Sequence, residues 1–407
     1  ILDNAKKLSY QALRVLAFAY TKASTQSELA YEENLIFIGA VGMIDPEKDS
    51  ARIAIAKAKH AGIKTIMITG DHPTTAYAIA KKLNMIDLNQ DDHQQVITGK
   101  QLEEMSDDEL ELKVNNYCIY SRVSPEHKVR IVKALQAQGH IVSMTGDGVN
   151  DAPSLKTAHI GVSMGITGTD VAKQASSMIL MDDNFATIVY AIEEGRNIYN
   201  KIKQAVLFVL ATNFGEVLAI LSAVLLGLGT PLGAVHVLWV NLIVESLIAI
   251  PISMDINDAT VMNERPRPKS ESILDKLIVP IIIIALCTGV SVFGGYYLCK
   301  QLGYTHTLSS SVAFAIMAIA PMLYVLSIRT PHLSLLKSKP WENSALVTAI
   351  IIGTLLNIIL IYSPLNTFFD LEPLYHQPLL IAIIGIIMPS IIYEIYKLIK
   401  KLTFKKG

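Results

Sequence analysis

Met144-Thr-Gly-Asp-Gly-Val-Asn-Asp-Ala-Pro-Ser-Leu-Lys156 is the stretch whose reading decides the fold. It follows the apolar run His140-Ile-Val-Ser-Met144, a pattern that predicts a buried strand. Asp147 and Asp151 therefore stand four residues apart in a glycine-punctuated turn at the carboxyl end of a strand, where an open α/β sheet places its ligands. Carboxylates in a loop with free backbone N–H groups suit Mg²⁺ beside a phosphate, because that ion is commonly held by one or two carboxylates, phosphate oxygens and water. Alone, the string also reads as a Gly-Asp turn in which Asp151 caps a helix and Pro153 occupies its first turn.

Outward from this loop, residues 35–191 alternate buried-strand runs with amphipathic helices. The runs are Leu35-Ile-Phe-Ile-Gly-Ala-Val, Ile63-Lys-Thr-Ile-Met-Ile, Tyr117-Cys-Ile-Tyr, Ile141-Val-Ser-Met, Ile160-Gly-Val-Ser-Met and Met178-Ile-Leu-Met. Such alternation predicts an α/β fold with a doubly wound parallel sheet covered by helices on both faces. Ile44-Asp45-Pro46, Thr69-Gly70-Asp71 and Thr145-Gly146-Asp147 each follow a strand, so three polar loops are expected at one sheet edge. Thr69, Gly70 and Asp71 offer a hydroxyl and loop amides to a phosphate, or form a plain strand-to-helix turn with Pro73 in the first helical turn. Lys128, in Ser124-Pro-Glu-His-Lys128, opens a helix expected to run to about Gln138. A lysine there opposes the helix dipole and would be relieved by an anion; a solvated lysine is the bland reading.

The 407 residues are 51% apolar and 17% charged, too greasy for one soluble domain of that size, and membrane spans are expected. A formal net charge of −1 argues against a general nucleic-acid binder. Cys118, Cys287 and Cys299 make neither a disulfide framework nor a paired metal motif. The chain opens on a helical pattern already under way and reads as the back part of a longer protein, with a missing N-terminal half.

From Phe185 a helical pattern runs without a break to Gln204 and into an apolar segment. Six stretches approach or exceed the roughly 20 residues needed to cross a bilayer: about 205–227, 234–254, 277–299, 308–328, 345–363 and 378–396. Basic residues gather at 255–276, 329–344 and the tail, whereas 228–233 and 364–377 have none. By the positive-inside rule the soluble part and the C-terminus face the cytoplasm of a multi-pass protein, taken to lie in the plasma membrane. Inside the spans, Asn213 and Glu216, and Asn241 and Glu245, form two pairs at spacings of three and four, each on one helix face. An ionisable group at mid-bilayer costs about 2.5–3.5 kcal/mol, so both glutamates need a partner. A bound cation supplies one, and a shared proton with each carboxyl bonded to an asparagine is the other reading. Asn357, isolated in the fifth span, is expected to bond between helices.

The string Thr145 to Pro153 resembles the hinge motif of the P-type ATPases, whose phosphorylation domain belongs to the haloacid dehalogenase superfamily. Ser124-Pro-Glu-His-Lys128, the T-G-D of residues 69–71, Leu13-Arg14-Val-Leu-Ala17 and the six spans extend the resemblance along the chain. It implies an incomplete haloacid-dehalogenase-like domain followed by an all-α membrane domain of six helices. It implies that Thr69, Gly70, Asp71, Lys128, Asn150 and Asp151 surround an aspartyl phosphate, that Asp147 binds Mg²⁺ and that Arg14 contacts ATP. The domains expected are 1–34, the end of a nucleotide-binding domain; 35–191, the second part of a phosphorylation domain; 192–204, a connecting helix; and 205–407, the membrane domain. The nucleophilic aspartate of the family's D-K-T-G-T string is not among these residues, so the chain alone is expected to be inactive.

In the membrane, Asn213-Phe-Gly-Glu216 and Trp239-Val-Asn-Leu-Ile-Val-Glu245 are similar to the fifth- and sixth-span sites of calcium pumps, which implies Ca²⁺ held by Asn213, Glu216, Asn241 and Glu245. Two features depart from that pattern. Val244-Glu245 replaces a hydroxyl-acid pair, and Ile319-Ala-Pro-Met carries no acid where animal calcium pumps have a glutamate, so one Ca²⁺ per cycle is expected. Na⁺ or another cation is the alternative cargo. A membrane-tethered phosphatase of the same superfamily would have no use for Glu216 and Glu245, and a non-catalytic membrane subunit none for Lys128, Asp147 and Asp151 together.

Overall fold

The computed structural model describes residues 8, 13–21, 35–43, 48–86, 92–331, 333–335 and 337–404. The chain divides into two units, Ile1–Glu193 with Ala259–Ser270, and Glu194–Asp258 with Glu271–Gly407.

The first unit holds eight strands in three sheets among the described residues. Strands β1 (Arg14–Tyr20) and β2 (Ile36–Met43) pair antiparallel, with Arg14 opposite Met43 and Tyr20 opposite Ile36. After helix α1 (Asp49–His60) come β3 (Met67–Thr69), α2 (Pro73–Lys82), β4 (Val96–Thr98), α3 (Gly99–Glu104), α4 (Asp107–Lys113) and β5 (Ile119–Ser121). These strands form a parallel sheet in the order β3-β5-β4. Helix α5 (Pro125–Ala137) then leads to β6 (Ser143–Gly146), α6 (Ala152–Thr157), β7 (Ile160–Met164), α7 (Asp170–Ala175) and β8 (Met178–Leu180), which form a second parallel sheet, β6-β7-β8.

The parallel α/β architecture expected from the alternating runs is present, with two differences. The run at 35–41 joins β1 in an antiparallel ribbon instead of the parallel set, and the other five strands fall into two sheets. Both follow from hydrogen-bonding partners, which an apolar run does not specify: β1 and β2 pair along their lengths, with one register shift between Phe18 and Ala19. The two parallel sheets nonetheless share packing, since Ile68 of β3 contributes to the cluster of Val132, Met144, Leu155 and Ala172.

Local sequence explains why the loops lie where they do. Helix α5 starts at Pro125, and the Ser124 side chain caps it by accepting from His127 N–H, while His127 Nδ1 accepts from Ser124 N–H at 3.1 Å. Its Ile131 and Leu135 turn into a core with Ile97, Leu102 and Tyr120, which fixes the face that Lys128 presents.

The second unit is helical. Helix α8 (Phe185–Leu225) begins in the first unit and continues into the second; the further helices are α9 (Ala234–Ser253), α10 (Ile278–Gln301), α11 (His306–Arg329), α12 (Ser344–Tyr362) and α13 (His376–Phe404). Among the described residues six helices are long and apolar enough to cross a membrane, and they coincide with the six expected spans. Helix α11 is the hub, with Phe314, Ile316 and Tyr324 wholly buried. Gly295 and Gly385 leave room for Ile316: a Cβ on either would lie 2.6 or 2.5 Å from its Cδ1. Small residues at helix contacts are the usual way for apolar helices to approach closely in lipid. Trp239 Nε1 donates to Asn357 Oδ1 at 3.0 Å, the interhelical bond expected of that asparagine.

Candidate functional site

Two groups of polar residues stand out, one in each unit. In the α/β unit Asp151 is the organising group. It is 6% exposed, and its Oδ2 accepts from the backbone N–H groups of Asp147 at 3.3 Å and Gly148 at 3.2 Å. Its Oδ1 is paired with the Lys128 ammonium. A Cβ on Gly146 would lie 2.4 Å from Asp151 Cβ, so only glycine lets the carboxylate fold back over the turn. The anion that relieves Lys128 at its helix start is thus Asp151 itself, a partner 23 residues away that the helix-dipole reading did not name.

Asp147 is held by its backbone: N–H by Asp151, C=O by Thr169 N–H at 2.8 Å. Its carboxylate is left exposed at the end of β6. Asn150 is likewise exposed in the turn. At the end of β3, Thr69 Oγ1 donates to Asp71 Oδ2 at 3.0 Å and accepts from Asp71 N–H at 3.1 Å, around an exposed Gly70. β3 and β6 are each the edge strand of their sheet, and each ends in T-G-D. The candidate ligand atoms are carboxylate, amide and hydroxyl oxygens, which fits a hard cation such as Mg²⁺. Arg14 lies on β1, and its side chain falls outside the described residues.

In the helical unit the polar groups are buried. Glu216 on α8 and Glu245 on α9 are 5% and 6% exposed. Asn213 Nδ2 donates to Glu245 Oε1 at 2.9 Å and to Val209 C=O at 2.9 Å, tying the two helices together. Glu216 Oε2 and Asn241 Oδ1 are buried with no hydrogen-bond partner. A buried oxygen without a donor is costly, and a cation is the partner that an acceptor-only set can share. Residues Val240–Glu245 form a π-helical stretch, so both Asn241 and Glu245 sit where the helix is locally widened. Beside them Thr212 and Tyr324 hydroxyls bond at 2.6 Å between α8 and α11. Among the described residues no three His, Cys, Asp or Glu side chains gather as a metal site.

The structure therefore brings Lys128, Asp147 and Asp151 together, and likewise Asn213 and Glu245. Two features escaped the sequence reading: the π-helical stretch, which leaves no mark in hydropathy, and Asp183, whose carboxylate gathers three backbone N–H groups from residues 165–167.

Residues 229–399 match the family model described as Cation transporting ATPase, C-terminus, and residues 6–159 match that of haloacid dehalogenase-like hydrolase. Calcium-transporting ATPase 1 of Bacillus cereus is 42% identical over 98% of this chain and 47% of its own length. The calcium-transporting ATPase of Bacillus subtilis is 43% identical over 91% of this chain and 41% of its own. A cation-transporting ATPase of Synechocystis is 39% identical over 81% and 36%, respectively. The chain spans less than half the length of these relatives. With a haloacid-dehalogenase-like part followed by the C-terminal region of cation-transporting ATPases, this chain belongs to the P-type ATPase family.

Proposed function

We propose that these 407 residues are the C-terminal portion of an ATP-driven pump that moves Ca²⁺ across a membrane through an aspartyl-phosphate intermediate. One observation carries the reading: a single chain holds both a T-G-D-G loop organised around a Lys128–Asp151 ion pair and two buried carboxylates in apolar helices, one of them with an oxygen that has no hydrogen-bond partner. A phosphatase uses the first and has no need of the second.

The nucleophile is expected on a strand supplied from outside these residues. The edges of β3 and β6 are unpaired among the described residues, and both end in T-G-D, so a strand ending in D-K-T-G that paired with either edge would deliver its aspartate among Thr69, Asp71, Lys128 and Asp147. Lys128 then faces the transferring phosphoryl group, Asp151 keeps the Asp147 turn in place through the N–H groups of Asp147 and Gly148, and Asn150 stands beside it in that turn. When bound at Asp147, Mg²⁺ supplies charge neutralisation to the phosphoryl oxygens. Strand β1 belongs in this reading to the nucleotide-binding part, with Arg14 directed to ATP phosphates, and β2, at the start of the phosphorylation part, pairs with it.

Asn213, Glu216, Asn241 and Glu245 hold the cargo, with the soluble unit and the C-terminus in the cytoplasm and the pump in the plasma membrane. Val244 offers no oxygen, which supports one Ca²⁺ per cycle. The test is ATPase activity of the full-length protein titrated with Ca²⁺, Na⁺, K⁺ and Mn²⁺. Half-maximal activation by micromolar Ca²⁺ is the expected result; activation by Na⁺ or K⁺ with no response to Ca²⁺ overturns the assignment of the cargo.

A further inference from the structure

The segment Asp182-Asp183-Asn184 lies between β8 and the first turn of α8, and its three side chains hold two different elements. Asp183 Oδ1 accepts from Gly165 N–H at 2.7 Å and Ile166 N–H at 3.0 Å; Oδ2 accepts from Thr167 N–H and Thr167 Oγ1, both at 2.8 Å. Four donors from three consecutive residues converge on one carboxylate. These bonds, that of Ile166 N–H foremost, hold the Asp183 carboxyl down at about 2, so it is ionised at neutral pH. Its own backbone takes φ +47°, a left-handed conformation that aspartate tolerates better than most non-glycine residues.

The loop it grips leads to Asp147. Gly165 and Gly168 allow no side chain, since a Cβ there would lie 2.5 Å from Leu180 O and 2.0 Å from Met164 O. At the far end of the loop, Thr169 N–H donates to Asp147 C=O at 2.8 Å. On the other side of Asp183, Asp182 Oδ2 accepts from Thr187 Oγ1 at 2.7 Å, and Asn184 Oδ1 accepts from Ala186 N–H at 3.0 Å, fixing the first turn of α8. The same helix carries Asn213 and Glu216.

We infer that Asp183 is a positioning residue for the Mg²⁺ site: through the 165–169 loop it sets the backbone of Asp147, and through its neighbours it joins that loop to the root of α8. The inference rests on the reading of Asp147 as the Mg²⁺ ligand. A carboxylate that touches neither phosphate nor metal acts here through three backbone amides and one Thr169–Asp147 bond. Without it the loop has lost four bonds and Asp147 C=O keeps a partner that can move.

The experiment uses the full-length protein with Asp183→Ala, Asp183→Asn, Thr167→Val and Asp147→Asn. The readouts are the Mg²⁺ concentration for half-maximal phosphorylation from inorganic phosphate, the Ca²⁺ concentration for half-maximal ATPase activation, and the unfolding temperature. Groups that orient a metal ligand change affinity by about 10–100-fold when removed. Asp183→Ala should raise the Mg²⁺ requirement by about 10-fold, Asp183→Asn by less because one acceptor oxygen remains, and Thr167→Val least, with Ca²⁺ activation within about twofold of the parent in each. A lowered unfolding temperature with an unmoved Mg²⁺ requirement across the Asp183 variants overturns the inference, because that is what a purely structural clamp would give. If Asp147→Asn also leaves the Mg²⁺ requirement unmoved, the Mg²⁺ assignment itself falls and the inference with it. Should Asp183→Ala fail to fold, the graded order of Asp183→Asn and Thr167→Val decides the matter.

Discussion

The two polar regions handle charge in opposite ways. In the α/β unit the candidate groups Asp71, Asp147 and Asn150 are exposed, and a partly buried ion pair with backbone N–H donors fixes the turn that presents Asp147. In the helical unit the carboxylates themselves are buried, one bonded to Asn213 and one retaining an oxygen with no partner. The first arrangement suits ligands that arrive from water with their own charge. The second suits a cation that must shed water, be held by protein oxygens and then be released. The difference teaches where rigidity is needed: in the loop it is supplied around the site, and in the bundle by the site.

The largest expected effect probes the first half of that contrast. Lys128→Ala leaves the Asp151 carboxylate without its cation at 9% side-chain exposure, and removing one partner of a buried pair costs about 3–5 kcal/mol. Lys113→Ala, which breaks the exposed Lys113–Glu109 pair, should cost below about 1 kcal/mol. Thermal unfolding of the two variants compares these directly, and equal losses would show that the ion pair at the loop is no different from a surface pair.

Next come Glu216→Gln and Glu245→Gln. Each removes a negative charge from a site with two, and Ca²⁺ affinity is tuned over orders of magnitude by ligand charge, so half-activation by Ca²⁺ should rise on the order of 100-fold. Phosphorylation from inorganic phosphate should persist in both, because Lys128 and Asp147 are untouched. Unchanged Ca²⁺ dependence in both variants removes the site. A smaller change tests its internal bonding: Asn213→Ala deletes the bond to Glu245, worth about 1 kcal/mol, and should raise the Ca²⁺ requirement several-fold. An unchanged Ca²⁺ requirement would remove Asn213 from the proposed ligand set.

How much of this was legible in the sequence differs by region for a physical reason. The T-G-D-G loop and the six spans are local: glycine, carboxylate and apolar length act within a few residues or a single helix, so the Asp147 turn and all six helices lie where composition puts them. Partner choice is not local. The run at 36–43 is as apolar as any parallel strand, yet it pairs with residues 14–20, and nothing within the run says so. Lys128 finds Asp151, and Asn213 finds Glu245 across 32 residues instead of Glu216 on its own helix face. Asp183 left no mark in the sequence, since its role depends on backbone N–H groups donated by a loop that precedes it by sixteen to eighteen residues.

The central claim is that a phosphoryl site and a cation site of one pump meet in this chain, while the nucleophile does not lie within it. Incorporation of acid-stable labelled phosphate from ATP, measured in the full-length protein and in these 407 residues alone, with and without Ca²⁺, tests it most directly. Covalent catalysis requires the carboxylate nucleophile. The account predicts Ca²⁺-dependent labelling of the full-length protein at an aspartate outside these residues, and none of the chain alone; clear labelling of the 407-residue chain would contradict it.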